Sequence, residues 1–314
     1  MISVSVFETH PKNLLEESLP EALEDQKTLQ KMKNISATCY EDILHPNFSL
    51  QLFDFEKNFD YWGKYWWFYS NWKLCYYFIA VYLVAILAGH QYMKRRPPFQ
   101  LRKALLLWNV SLALFSIAAS CRAIPVLVDT LRQDGLHPSL CSPWTAQHKQ
   151  GVAIWLYWFA LSKVVELGDT AFIVLRKTPL IFLHWYHHVT VLFAVWSSSG
   201  WPSTIYRHFA VVNYSVHSVM YSHYALRAAR VKIPKTVSMA VTALQLVQMV
   251  ICLTVIGYAS YLKSKDDQCC LYDETVWISL GIYASYFILF GHFFIKTYFP
   301  NKGSPGTGAF KKSL

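Results

Sequence analysis

The sequence predicts an all-α membrane protein with seven transmembrane helices. Three observations carry this reading. Only 15% of the 314 residues are charged, against 54% hydrophobic, whereas a soluble domain carries about 25% charged residues. The apolar residues gather in seven stretches of roughly 20, the length that crosses a bilayer as a helix. The basic residues concentrate in alternate connecting segments, the bias that orients membrane proteins. An ordinary soluble enzyme is excluded. The net charge of +10 does not indicate a nucleic-acid partner, because the cations sit in loops between spans.

Residues 1–54 form a polar, partly disordered N-terminal segment without the apolar run of a signal-peptide core. Up to Asn71 the chain holds 11 acidic residues and 6 lysines. The spans follow at Trp72–Met93, Ala104–Val128, Val152–Leu175, Leu180–Trp196, Ile205–Leu226, Val237–Leu262 and Thr275–Ile295. Each is a helix, because only helices and closed barrels satisfy their backbone polar groups in lipid. No alternating ten-residue pattern supports a barrel. The fourth span is the least apolar, because it contains His184, His187 and His188. The domain plan is a tail-like segment over residues 1–54, a seven-helix domain over 55–297 and a basic tail over 298–314.

The segments after spans one, three, five and seven hold 15 basic and no acidic residues. They are Lys94 to Lys103, Arg176 with Lys177, Arg227 to Lys235, and Lys296 to Lys312. The positive-inside rule puts them in the cytosol, with the N-terminus lumenal and the C-terminus cytosolic. Asn34-Ile-Ser and Asn47-Phe-Ser are glycosylation sequons on the lumenal side. Cys141 and the Cys269–Cys270 pair share that oxidising side, so a bridge from Cys141 to Cys269 or Cys270 is expected. Lys311 and Lys312, fourth and third from the end, match the dilysine retrieval signal of endoplasmic-reticulum membrane proteins.

Ionisable groups inside a span are costly, and they mark function by default. Span three carries Lys163, Glu166 and Asp169 at three-residue spacing, neighbours on a helix surface that can offset each other's charge. Span four carries His184, His187 and His188, three imidazoles on one helix face. Asn213, His217, Met220, Tyr221 and Tyr224 share a stripe of span five, and Thr242, Gln245 and Gln248 a stripe of span six. Imidazoles ligate metals, or act as bases and nucleophiles near neutral pH. Three readings compete: a diiron desaturase or hydroxylase, a site for one structural or transported metal ion, and metal-free acyl chemistry. One HxxHH box with scattered histidines is a small inventory for a diiron centre. Neither GxGxxG, GxxxxGK[ST] nor GxSxG occurs, so no nucleotide redox site, NTPase site or serine elbow is supported.

The motifs Lys163xxGlu166xxAsp169Thr170, His184xxHis187His188, His217xxMet220Tyr221 and Thr242xxGln245xxGln248, in this order, resemble the ELO family of very-long-chain fatty acid elongases. The wording around the first two resembles the animal branch that prefers saturated and monounsaturated chains. The resemblance implies a condensing enzyme, a 3-oxoacyl-CoA synthase of the endoplasmic reticulum. It would join long-chain acyl-CoA to malonyl-CoA, giving 3-oxoacyl-CoA two carbons longer, CO2 and CoA. It implies six helices around a closed acyl tunnel, no metal and no cofactor, and the membrane lipid as surroundings. Reductase and dehydratase partners would complete the cycle, and a homo-oligomer stays open. The site residues it implies are His184, His187, His188, His217 and Asn213. On this reading His187 is the nucleophile, and Lys163, Glu166 and Asp169 hold the box. Tyr221, Tyr224, Gln245 and Gln248 line the substrate path. Arg176, Lys177, Arg230, Lys232 and Lys235 meet CoA phosphates. His223 stands where the family has Tyr, and the residues before Met32 exceed its usual start.

Overall fold

The computed structural model describes residues 51–141, 152–199, 205–265, 269, 271 and 273–299. Among these residues there are helices and no strands. The sequons at Asn34 and Asn47, the Lys311–Lys312 signal and Cys270 lie outside the described residues.

The helices are α1 (Asp54–Lys57), α2 (Tyr61–Asn71), α3 (Leu74–Met93), α4 (Arg102–Gln133) and α5 (Leu136–Cys141). Then come α6 (Ala153–Glu166), α7 (Gly168–Leu175), α8 (Phe182–Ser199), α9 (Tyr206–Ala228), α10 (Lys235–Lys263) and α11 (Asp273–Tyr298). Local chemistry sets several boundaries. The Asp60 carboxylate accepts from the Gly63 amide at 3.0 Å and starts α2. Pro234 precedes α10 at its N-cap. Helices α7 and α9 both end in Schellman turns. Thr178 N donates to Ile173 O, and Lys177 N to Val174 O. Val231 N donates to Leu226 O, and Arg230 N to Arg227 O. Such a turn needs a left-handed residue, and Lys177 (φ 53) and Arg230 (φ 66) supply it in place of glycine.

Among the described residues four helices are long and apolar enough to cross a membrane: α3, α4, α10 and α11. Their outer surfaces are apolar. Leu87 is 71% exposed, Leu107 68% and Ile288 68%, a surface suited to lipid and not to water. The third sequence span is not one helix. It divides at Leu167 into α6 and α7. Helices α6 and α7 are 14 and 8 residues long, too short to cross singly, and α6 and α9 carry the buried polar side chains Lys163, Glu166, Asn213 and His217. These groups face other helices.

Helix α9 packs along α4, and α10 pairs with α11. Helix α8 touches α6, α11, α3 and α2. The succession α8, α11, α10, α9, α4, α6 and back to α8 closes on itself, with α3 outside against α7 and α8.

One core cluster is aromatic, joining Tyr65, Phe68, Trp155, Phe159, Trp196 and Tyr214. The Trp196 indole donates to Ala160 O at 2.8 Å, and the Tyr214 hydroxyl to Trp155 O at 2.7 Å. The N-terminal chain is fastened to this region through Glu56. Its carboxylate accepts from Arg122 Nε (2.9 Å), Arg122 Nη2 (2.6 Å) and Trp155 Nε1 (2.7 Å). Arg122 also lies over the Phe53 ring at 4.8 Å. A second cluster surrounds a disulfide between Cys141 and Cys269, whose Cα atoms are 4.4 Å apart. The bridge staples the segment after α10 to the end of α5 across 128 residues of chain.

Candidate active site

Helices α6 and α9 supply the centre of the site. Lys163 and Glu166 stand three apart on α6, one turn of one face, and are 1% and 4% exposed. Lys163 Nζ donates to Glu166 Oε1 at 2.7 Å and to Asn213 Oδ1 on α9 at 2.9 Å. Ser162 Oγ also donates to Glu166 Oε1, at 3.0 Å. An ammonium has only protons to give. The Asn213 oxygen therefore faces Lys163, and its Nδ2 faces His217 Nε2 at 3.1 Å. That nitrogen must accept, so the ring proton of His217 sits on Nδ1. Nδ1 in turn is 3.8 Å from Glu166 Oε1. Glu166, Lys163, Asn213 and His217 close a ring of polar contacts.

Asp169 does not join this ring. Its Oδ1 accepts from the Trp108 indole on α4 at 2.6 Å, and its Oδ2 from the Tyr221 hydroxyl at 2.9 Å. The Tyr221 ring meets the His217 ring edge-on at 5.3 Å. The break at Leu167 separates the two carboxylates of the motif: Glu166 serves α9 through Lys163, and Asp169 is held by Trp108.

The three box histidines do not share one target. His184 and His188 lie ring to ring at 4.5 Å. His184 Nε2 hydrogen-bonds Thr170 Oγ1 at 2.9 Å, and that hydroxyl meets the Tyr82 hydroxyl of α3 at 2.7 Å. His188 is buried, and its Nδ1 has no hydrogen-bond partner. His187 turns towards α11 and packs against Tyr286 at 4.9 Å and Phe290 at 6.1 Å. It is partly exposed, and among the described residues neither ring nitrogen has a hydrogen-bond partner. Tyr286 is fixed in turn by Thr190 Oγ1 at 2.7 Å.

The remaining residues lie on α9, α10 and the basic loops. Gln245 Nε2 approaches Met220 Sδ at 3.1 Å, and Gln248 is buried on α10. Tyr224 is 41% exposed and continues the aromatic line from Tyr221 at 6.3 Å. His223 bonds Ser238 Oγ of α10 at 3.1 Å. Thr242 and Lys235 both reach Tyr298 of α11, the first at its hydroxyl (3.3 Å) and the second over its ring (5.8 Å). Lys177, Arg230, Lys232 and Lys235 are exposed, Arg176 is half-buried, and none pairs with an acidic side chain among the described residues. Among the described residues no three His, Cys, Asp or Glu side chains converge as metal ligands would.

Sequence spacing missed Trp108, Tyr82 and Tyr286. An indole or phenol inside an apolar span needs a polar partner once buried, and that was the signal available for each.

Residues 67–305 match the model of the ELO: GNS1/SUR4 family. The chain is 45% identical over 255 residues to very long chain fatty acid elongase 6 of Drosophila melanogaster, covering 81% of this chain and 80% of that protein. It is 40% identical over 258 residues to very long chain fatty acid elongase 6 of Homo sapiens, covering 80% and 94%. Against very long chain fatty acid elongase 3 of Mus musculus it is 40% identical over 234 residues, covering 74% and 85%. With the polar ring, the imidazole box and these matches together, the chain belongs to the ELO: GNS1/SUR4 family.

Proposed function

We propose that the protein is the condensing enzyme of fatty acid elongation. It joins long-chain acyl-CoA to malonyl-CoA and releases CO2, CoA and a 3-oxoacyl-CoA two carbons longer. The related elongases and the family match support this activity. The reading sets seven spans in the endoplasmic-reticulum membrane, six of them around a closed acyl tunnel. The basic loops face the cytosol, and the retrieval signal is Lys311 with Lys312. The lumenal side carries the sequons at Asn34 and Asn47.

His187 is the nucleophile on this reading. One observation supports it: His187 alone among the box histidines is partly exposed with both ring nitrogens unengaged, whereas Thr170 holds His184 and His188 is buried. Its nitrogen attacks the thioester carbonyl, the C–S bond breaks, and CoA leaves with the proton that the imidazole gives up. Malonyl-CoA then loses CO2, and the resulting enolate forms the new C–C bond as the acyl–nitrogen bond breaks. One proton taken up restores the imidazole. His217, with Asn213, lines the wall that orients the acyl carbonyl, and Lys163 with Glu166 holds that wall. Tyr221, Tyr224, Gln245 and Gln248 line the path. Arg176, Lys177, Arg230, Lys232 and Lys235 receive the CoA phosphates, because Arg forks and Lys charges bind phosphate without a glycine loop.

The test is intact mass spectrometry of purified protein incubated with acyl-CoA and no malonyl-CoA. An added acyl mass that maps to His187 and vanishes in His187→Ala is the expected result. No adduct, or one that persists in the variant, refutes the assignment. Release of labelled CO2 from carboxyl-labelled malonyl-CoA, dependent on acyl-CoA, checks the condensation independently.

A further inference from the structure

Trp108 belongs to none of the motifs, yet two features of the fold converge on it. Its indole N–H donates to Asp169 Oδ1 at 2.6 Å, a short bond between α4 and α7. Its ring also lies directly over Gly168. A Cβ built there would meet Trp108 Cη2 and Cζ2 at 2.8 Å. That is closer than side-chain carbons pack, and a rigid ring tied down at its nitrogen cannot yield cheaply. Gly168 opens α7 just after the break at Leu167. The missing side chain is therefore what admits the indole to the break, where its ring also meets Phe172 at 5.8 Å.

The carboxylate so held has one oxygen left, and it accepts from Tyr221 at 2.9 Å. Tyr221 is 2% exposed, so its ring is confined between Asp169 and the edge of His217 at 5.3 Å. We propose that Trp108, admitted by Gly168, is a positioning residue that sets His217 through Asp169 and Tyr221. Lys163 and Asn213 hold His217 on one side, and the Trp108 brace holds it on the other. Two anchors on different helices fix the imidazole against rotation about its side-chain bonds. Displacement of a reacting group by about 1 Å costs up to about 100-fold in rate. The proposal rests on the condensing activity above.

The experiment is steady-state release of labelled CO2 with acyl-CoA and malonyl-CoA, in Trp108→Phe, Gly168→Ala and the double variant. Trp108→Phe keeps an aromatic ring and removes the donor. Per folded molecule it lowers kcat between about 10- and 100-fold with KM for acyl-CoA little changed, beside the fall in melting temperature that the loss of one buried donor brings. Gly168→Ala lowers kcat alike, and it costs nothing further beside Trp108→Phe, whose shorter ring no longer reaches the added methyl. A residue that served stability alone would lower the melting temperature and leave kcat per folded molecule intact. Wild-type kcat in Trp108→Phe, or an equal cost of Gly168→Ala in both backgrounds, overturns the brace. If Trp108→Phe does not fold, a folded Gly168→Ala with wild-type kcat overturns it instead. An inactive wild-type protein refutes the condensing reading itself, so the two failures are distinguishable.

Discussion

Lys163 Nζ lies 2.9 Å from Asn213 Oδ1, across 50 residues and two helices, and this contact decides which way the Asn213 amide faces. The tautomer of His217 follows from it. A buried lysine thus acts on a histidine it does not touch.

Removing one partner of the Lys163–Glu166 pair leaves a buried charge without compensation. Lys163→Met should cost about 3–5 kcal/mol in thermal or denaturant unfolding of the detergent-solubilised protein. Lys163→Met with Glu166→Leu should regain most of that stability, since apolar replacement of a whole buried pair is often neutral. Both variants should lose condensation, because Asn213 is then free to flip. An active, stable double variant would show that the pair serves folding alone.

Lys177 and Arg230 hold left-handed conformations that glycine adopts freely. Lys177→Gly and Arg230→Gly should each raise stability by about 1 kcal/mol. Each should also raise KM for acyl-CoA about two- to fivefold, the range of an exposed charge contact, and weaken its dependence on salt. Stability and binding moving in opposite directions would mark these cations as kept for phosphate. Unchanged KM in both would remove them from the CoA site.

Cys141→Ser should abolish the mobility difference between reduced and oxidised protein on a gel. It should lower stability by about 2–4 kcal/mol, the typical contribution of a native bridge. Cys270→Ser should change neither, because Cys269 is the partner.

Burial pushes the Glu56 carboxyl up, but the bonds from Arg122 and Trp155 outweigh it and hold the group below its ordinary 4.5. A depressed carboxylate gives stability that is complete above its unfolded value and is lost as pH falls through its folded value. The melting temperature should therefore fall more steeply in wild type than in Glu56→Gln on acidification from about pH 6 to about pH 3. Parallel curves would mean that Glu56 contributes no pH dependence.

Local pattern was enough to mark the long helices, because apolar length and charge placement are properties of each segment in its solvent, but it marked neither the short helices α1, α2 and α5 nor the break at Leu167. The stretch Thr275–Ile295 is helical as Asp273–Tyr298, and Ile205–Leu226 as Tyr206–Ala228. The polar groups of the site were legible for the same reason: Lys163, Glu166 and the three histidines stand out against an apolar background. Helical spacing, however, reports only neighbours on one helix. It put Glu166 and Asp169 on one surface and three imidazoles on one face. The tertiary structure sends Asp169 to Trp108 and Tyr221, His184 to Thr170, and His187 to Tyr286. Those partners lie on other helices, and no period within one segment can encode which neighbour a side chain meets. The sequence by itself determined which groups are buried in the membrane protein. The packing of α4, α8, α9 and α11 around a broken α6–α7 decided what each of them holds.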